Sequence, residues 1–140
     1  MASTSGICNS FKTELLQGVH ALATDTLKVA LYTSAATLSP TATTTYSTSD
    51  EVVATGYTAG GTTITSANVA LSSNTAYFTF ANPSWANATI TARTALIYNA
   101  SKGNKAVAIF DFGSDVTSTS DTFTLTLPAA TATTALIRFT

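Results

Sequence analysis

From Leu27 onward the apolar side chains of this chain recur in twos. The alternation is cleanest where Phe123, Leu125 and Leu127 interleave with Thr122, Thr124 and Thr126, which describes a strand with one buried and one hydroxylated face. Leu27, Val29 and Leu31 alternate in the same way with Lys28, Ala30 and Tyr32. Ala135, Ile137 and Phe139 do so with Thr134, Leu136 and Arg138 up to the last residue. A period of two places one set of side chains on one face of a sheet and would scatter it around a helix, so these segments commit the chain to sheet. The 30 Thr and 15 Ser residues reinforce this, because β-branched Thr suits a pleated, half-solvated surface.

Other segments read as strands between turn clusters. Thr62 to Leu71 predicts a strand with an irregularity near Ser66 to Asn68, and Tyr77 to Phe80 a short aromatic strand after a turn at Ser72 to Asn74. Pro83 and Trp85 interrupt. Ile90 to Asn99 resumes as a central strand, Asn99 to Asn104 is a hairpin loop, and Lys105 to Phe112 returns with both faces apolar. Gly113 to Ser120 reads as a polar loop. The Ser/Thr-rich stretch from Ser34 to Thr58 reads as a long surface excursion with a short strand near Glu51.

One segment has a different period. Phe11, Leu15, Val19 and Leu22 recur at helical spacing, predicting an amphipathic helix over residues 10–23 with Asn9 or Ser10 as its N-cap. Residues 1–9 are small, polar and without period, and are expected to form a flexible arm. The expected architecture is therefore mainly all-β. It is a sandwich or small barrel of about seven or eight antiparallel strands with one short N-terminal helix, in a single domain over residues 10–140.

Charge narrows the function classes. Charged residues make up 9% of the chain and the net charge is −1, against about 25% charged in an average soluble domain. The six basic residues are spread along the sequence, so there is no footprint for a phosphate backbone and no nucleic-acid partner is expected. No run approaches the ~18 apolar residues of a membrane span, and the N-terminus lacks the pattern of a signal peptide. The chain is expected to be soluble and made in a cytoplasm. Weak like-charge repulsion and a 45% hydrophobic composition point to partners that cover surface, including copies of itself.

The inventory for chemistry is thin. Cys8 is the only cysteine and His20 the only histidine, too few for a zinc cluster or an internal disulfide. His20 reads as a packing residue rather than a member of a triad. Asp111, Asp115 and Asp121 lack the dense spacing of a calcium loop and read as solvated turn residues. Asp111-Phe112-Gly113 stands without the other kinase motifs, and the Gly56 to Gly61 segment without the Lys of a phosphate cradle. Asn87-Ala88-Thr89 and Asn99-Ala100-Ser101 fit a glycosylation pattern by chance. Tyr32, Tyr46, Tyr57, Tyr77, Tyr98 and Trp85 are candidates for a sugar platform or an assembly hot spot, with core packing as the alternative. The expectation is a non-enzymatic protein with no catalytic, cofactor-binding or metal residues and no cofactor.

Several segments carry a resemblance: Gly6 to Leu16, Leu27 to Thr33, Gly56 to Gly61, Ala95 to Asn99 and Lys105 to Gly113. Together they resemble small virion structural proteins of tailed bacteriophages, some of which decorate the head. The resemblance implies a capsid decoration, or cement, protein that stabilises the expanded head. Its expected partners are the major capsid protein and itself, as a homotrimer, in a virion assembled in the host bacterial cytoplasm. The alternative is a tail, collar or head-fibre component that binds host surface glycans through its aromatics.

Overall fold

The computed structural model describes residues 3–129 and 131–139, and the chain is mainly β. Among the described residues ten strands form three sheets, and every strand pairing is antiparallel. The principal sheet has five strands: β1 (Gly6–Ile7), β8 (Lys105–Thr117), β7 (Thr91–Asn99), β2 (Leu27–Tyr32) and β3 (Thr62–Thr63), in that spatial order. A second sheet orders β10 (Arg138–Phe139), β5 (Thr75–Thr79) and β4 (Asn68–Ser72). A third pairs β6 (Ser84–Ala88) with β9 (Asp121–Thr124).

The centre of the principal sheet is apolar on both faces. Val29 to Tyr32, Ala95 to Tyr98 and Ala106 to Ile109 are all buried, as expected for strands covered on both sides. Phe78 from the second sheet and Trp85 and Phe123 from the third join the same core, so the three sheets share one interior in a sandwich-like arrangement. Trp85 packs edge-on against Phe123 with ring centroids 5.9 Å apart, a favoured aromatic geometry.

The structure departs from the sequence expectations in several places. The helix, α1, spans Asn9–Leu16 rather than 10–23. It ends because Gly18 takes a left-handed conformation at φ +76°, the usual way a glycine stops a helix. Val19, His20 and Leu22 then face inward from irregular chain, which imitates the helical period. The N-cap is Cys8, whose side chain makes no capping bond, rather than Asn9 or Ser10.

Residues 3–9 are not a free arm. Gly6 and Ile7 pair with Ile109 and Ala108, Ser3 is buried with its hydroxyl on the Ala36 carbonyl, and Cys8 is fully buried. Met1 and Ala2 lie outside the described residues.

Pro83 lies in the break between β5 and β6, as expected, but Trp85 does not interrupt: it is a residue of β6 and pairs with Phe123. Pro83 only precedes β6, where its missing N–H costs no ladder bond, and a bulge at Asn87 (φ +50°) bends that strand. Strand β8 continues through the predicted loop to Thr117, but with a register shift that sets residues 112–115 opposite Arg93 alone. At the C-terminus only Arg138 and Phe139 pair as strand, although Ala135 and Ile137 are buried as predicted; Thr140 lies outside the described residues. The strand expected near Glu51 is a single bridge to Tyr32.

Candidate functional site

Three features stand out: two buried polar networks, and one sheet edge with neither charge nor cover. The first network is centred on Glu51. Burying a carboxylate is costly unless its oxygens are satisfied, and here three donors converge. The Tyr46 hydroxyl donates to Oε2 at 2.6 Å, the Tyr57 hydroxyl to Oε1 at 2.6 Å, and the Gly60 N–H to Oε1 at 2.7 Å. Tyr98 donates to the Gly60 carbonyl at 2.6 Å and stacks on Tyr46 with centroids 4.7 Å apart. Tyr32 donates to the Ser47 carbonyl. Burial, the hydrogen bond to Glu51 and its charge raise the Tyr46 and Tyr57 hydroxyls well above the usual phenol range. The network holds the loop of residues 46–61 against strand β2, where Gly61 lies so close that a Cβ would stand 1.7 Å from the Val29 carbonyl oxygen.

The second network surrounds His20. The Asn99 amide oxygen accepts the Ser101 N–H at 3.0 Å, so its Nδ2 faces Asp25 at 2.7 Å and His20 Nδ1 at 3.0 Å. Nδ1 therefore accepts, and Nε2 carries the proton and donates to Glu14 Oε1 at 3.1 Å. Both ring nitrogens of a buried imidazole are engaged, and one face of the ring meets Phe11. Lys105 reaches Glu14 at 3.0 Å and Lys102 approaches Asp25 at 3.8 Å. Burial alone would raise the Glu14 carboxyl, but the hydrogen bonds from His20 and Lys105 outweigh it and hold the group below the ordinary range. At Asp25 burial pulls the same way, and the bonds from the Ala21 N–H and Asn99 outweigh it in turn. The arrangement ties residues 14–25 to the β7–β8 hairpin.

The remaining sequence candidates are dispersed. Asp111 faces Arg93 Nε at 3.3 Å and accepts from the Thr94 hydroxyl within the sheet, while Asp115 and Asp121 are exposed elsewhere. Among the described residues no three His, Cys, Asp or Glu side chains are grouped to hold a metal ion, and no helix is long and apolar enough to cross a membrane. The Asp111-Phe112-Gly113 tripeptide lies in β8. Asn87 sits on the β6 bulge, and Asn99 is fully buried. Of the aromatics, Tyr32, Tyr98 and Trp85 belong to the core and Tyr46 and Tyr57 are half-buried with engaged hydroxyls. Tyr77 lines a surface groove.

That groove belongs to the third feature, which sequence reasoning did not single out. Between Glu51 and Arg93 the chain contains no Asp, Glu, Lys, Arg or His. This stretch includes β4 and β5. Beside them lies a cavity of about 260 Å³ lined by Leu15, Leu22, Val69, Phe78, Ile137 and Phe139 among others. Of its lining, Val69 is 49% and Phe139 44% exposed, and Leu71, next along the same face of β4, is 73% exposed. The interior of the molecule thus opens to the surface along one strand.

Fold and sites together define a mainly β domain with two buried polar networks and one exposed apolar strand edge. No protein-family model, curated protein or solved structure matches this chain.

Proposed function

We propose that this chain is a bacteriophage virion structural protein that decorates the head, binding the major capsid protein of the expanded shell. The observation that carries the reading is a surface suited to being covered. Leu16 is 91% and Val53 98% exposed, on a chain with only six basic and seven acidic residues. Isolated exposed apolar residues are ordinary, but apolar rims on a surface this poor in charge mark protein contact. The segment resemblance to virion proteins of tailed phages points the same way.

The mechanism is linkage. A protein that binds only the expanded shell stabilises that state by its binding free energy, and many copies per particle multiply the effect. It needs a rigid body rather than a reaction, and the Glu51 and His20 networks supply rigidity by fixing the long excursion and the post-helix segment to the principal sheet.

The test is to mix the purified protein with expanded heads lacking it, pellet the heads, and measure bound protein against capsid protein. Saturable binding at a ratio set by the lattice is expected. Absence of binding would overturn the head assignment and leave the tail, collar or head-fibre reading.

A further inference from the structure

Edge strands are open templates for pairing, and natural sheets protect them by shortness, charge, proline, bulges or cover. Nearly every edge of this molecule is protected in one of these ways. β1 and β3 have two residues each, β10 has two and carries Arg138, β6 is bulged at Asn87, and β9 begins at Asp121. The exception is β4. Its five residues, Asn68-Val69-Ala70-Leu71-Ser72, hold an unbroken register with β5 on one side and have no strand on the other among the described residues. The strand has no charge, no proline and no bulge.

We propose that the free edge of β4 pairs with β4 of a second copy of this chain, antiparallel about a two-fold axis at Ala70. The sequence is complementary to itself in this register. Val69 falls opposite Leu71 of the second copy and Leu71 opposite its Val69, on one face. Asn68 falls opposite Ser72 and Ser72 opposite Asn68, on the other. Residues directly opposite in an antiparallel pair share a face and interact, so apolar meets apolar and polar meets polar without exception.

Charge also favours a second copy over a different partner. An isologous contact brings each patch against itself, so any net charge on it would repel. This edge has none, and it offers nothing for a charged peptide to recognise. The contact joins two three-stranded sheets into one of six strands. It also continues the row Phe139, Ala76, Leu71, set by the register of β10, β5 and β4, into Val69 and Phe78 of the second copy, covering the exposed rim of the groove. The inference rests on the sheet edge and holds whichever surface of the protein meets a head.

The experiment is sedimentation or light-scattering mass of the full chain across about 1 to 100 μM, a range that brackets the affinities of weak to moderate protein pairs, with circular dichroism confirming that each variant is folded. The natural chain is expected to be a dimer, in place of the homotrimer that the resemblance implies. Leu71→Lys, at an exposed position, should weaken the dimer at least ~100-fold by setting a charge against an apolar neighbour. The double variant Val69→Glu/Leu71→Lys should restore it in a salt-sensitive manner, because the dyad register sets the new carboxylate of each copy opposite the new ammonium of the other. A monomer at the highest concentration, a trimer, a dimer indifferent to Leu71→Lys, or a folded double variant that stays monomeric would each overturn the proposal.

Discussion

The hydroxyl of Tyr57 donates to Glu51 at 2.6 Å while accepting the backbone N–H of Leu31 at 2.9 Å. One phenol thereby joins a loop carboxylate to the middle of strand β2. Hydrogen bonds to buried charged groups contribute about 1.5–3 kcal/mol each, and orphaned partners cost a comparable amount. Glu51→Ala leaves both tyrosine hydroxyls and the Gly60 N–H without their acceptor. A loss of roughly 3 kcal/mol, or about 10 °C in melting temperature, is expected in thermal unfolding followed by circular dichroism.

Gly61 and Gly60 stand side by side in the left-handed region, at φ +76° and +94°, but meet different surroundings. A Cβ on Gly60 would first touch the Tyr98 hydroxyl at 3.4 Å, whereas one on Gly61 would overlap the Val29 carbonyl. Gly60→Ala is expected to cost about 1–2 kcal/mol, the strain of the backbone conformation. Gly61→Ala should cost more than ~4 kcal/mol, because the loop must leave β2. Denaturant midpoints of the two variants measure the difference.

Cys8 is fully buried, and burial, with the nearby Glu14 charge, pushes its thiol up to about 11 from an ordinary 9.0. In the folded protein it should not react with a disulfide thiol reagent at about pH 8, and should react promptly once unfolded. The unfolded chain releases the thiol proton first as pH rises. Stability should therefore hold below about pH 9 and fall by roughly 3 kcal/mol toward about pH 11. The raised tyrosines add to the fall above about pH 10. Cys8→Ala should flatten the slope between about pH 9 and 10 and leave the tyrosine part, as read from urea midpoints against pH.

Asn99 joins Asp25, His20 and the Ser101 N–H through one side chain. Glu14 and Asp25 are held below their ordinary values, so the unfolded chain takes up protons first on acidification. Stability is expected to fall as pH drops through about 4. Asn99→Leu should cost roughly 3 kcal/mol near neutral pH by stranding three polar partners. It should also make the acid slope shallower, since Asp25 loses one of the bonds that keep it ionised.

The legible parts of the fold were those whose cause is local. The twos of Leu27 to Leu31 predict β2; those of Phe123 to Leu127 place the buried side chains correctly, although the strand itself, β9, ends at Thr124 and Leu125 to Leu127 lie inward from irregular chain. The turn at Ser73 and Asn74 separates β4 from β5 as its composition requires. The helix overran because Val19 and Leu22 keep the helical period after Gly18 has ended the helix; that glycine was the available signal, and the apolar spacing obscured it. From sequence, Glu51 marks only a short strand within the surface excursion of Ser34 to Thr58, not a buried carboxylate. Its donors Tyr46, Tyr57 and Gly60 are near in sequence, yet no periodicity marks a loop carboxylate as internal, and the loop becomes interior only when β2 lies beneath it. The β4 edge was hidden for the same reason. Val69 and Leu71 were legible as strand, but which strands lack a neighbour is a property of the whole topology.

Strand β1 has a consequence for the order of folding. Gly6 and Ile7 pair with Ile109 and Ala108, across most of the chain, while β7 and β8 are joined by a short hairpin that forms within microseconds once both arms exist. During synthesis β1 is made well before β8 and can be placed only after β8 has emerged to offer its outer side. Closing so distant a contact is slow relative to local pairing. Strand β1 behaves as a latch that fastens only once β8 is in place.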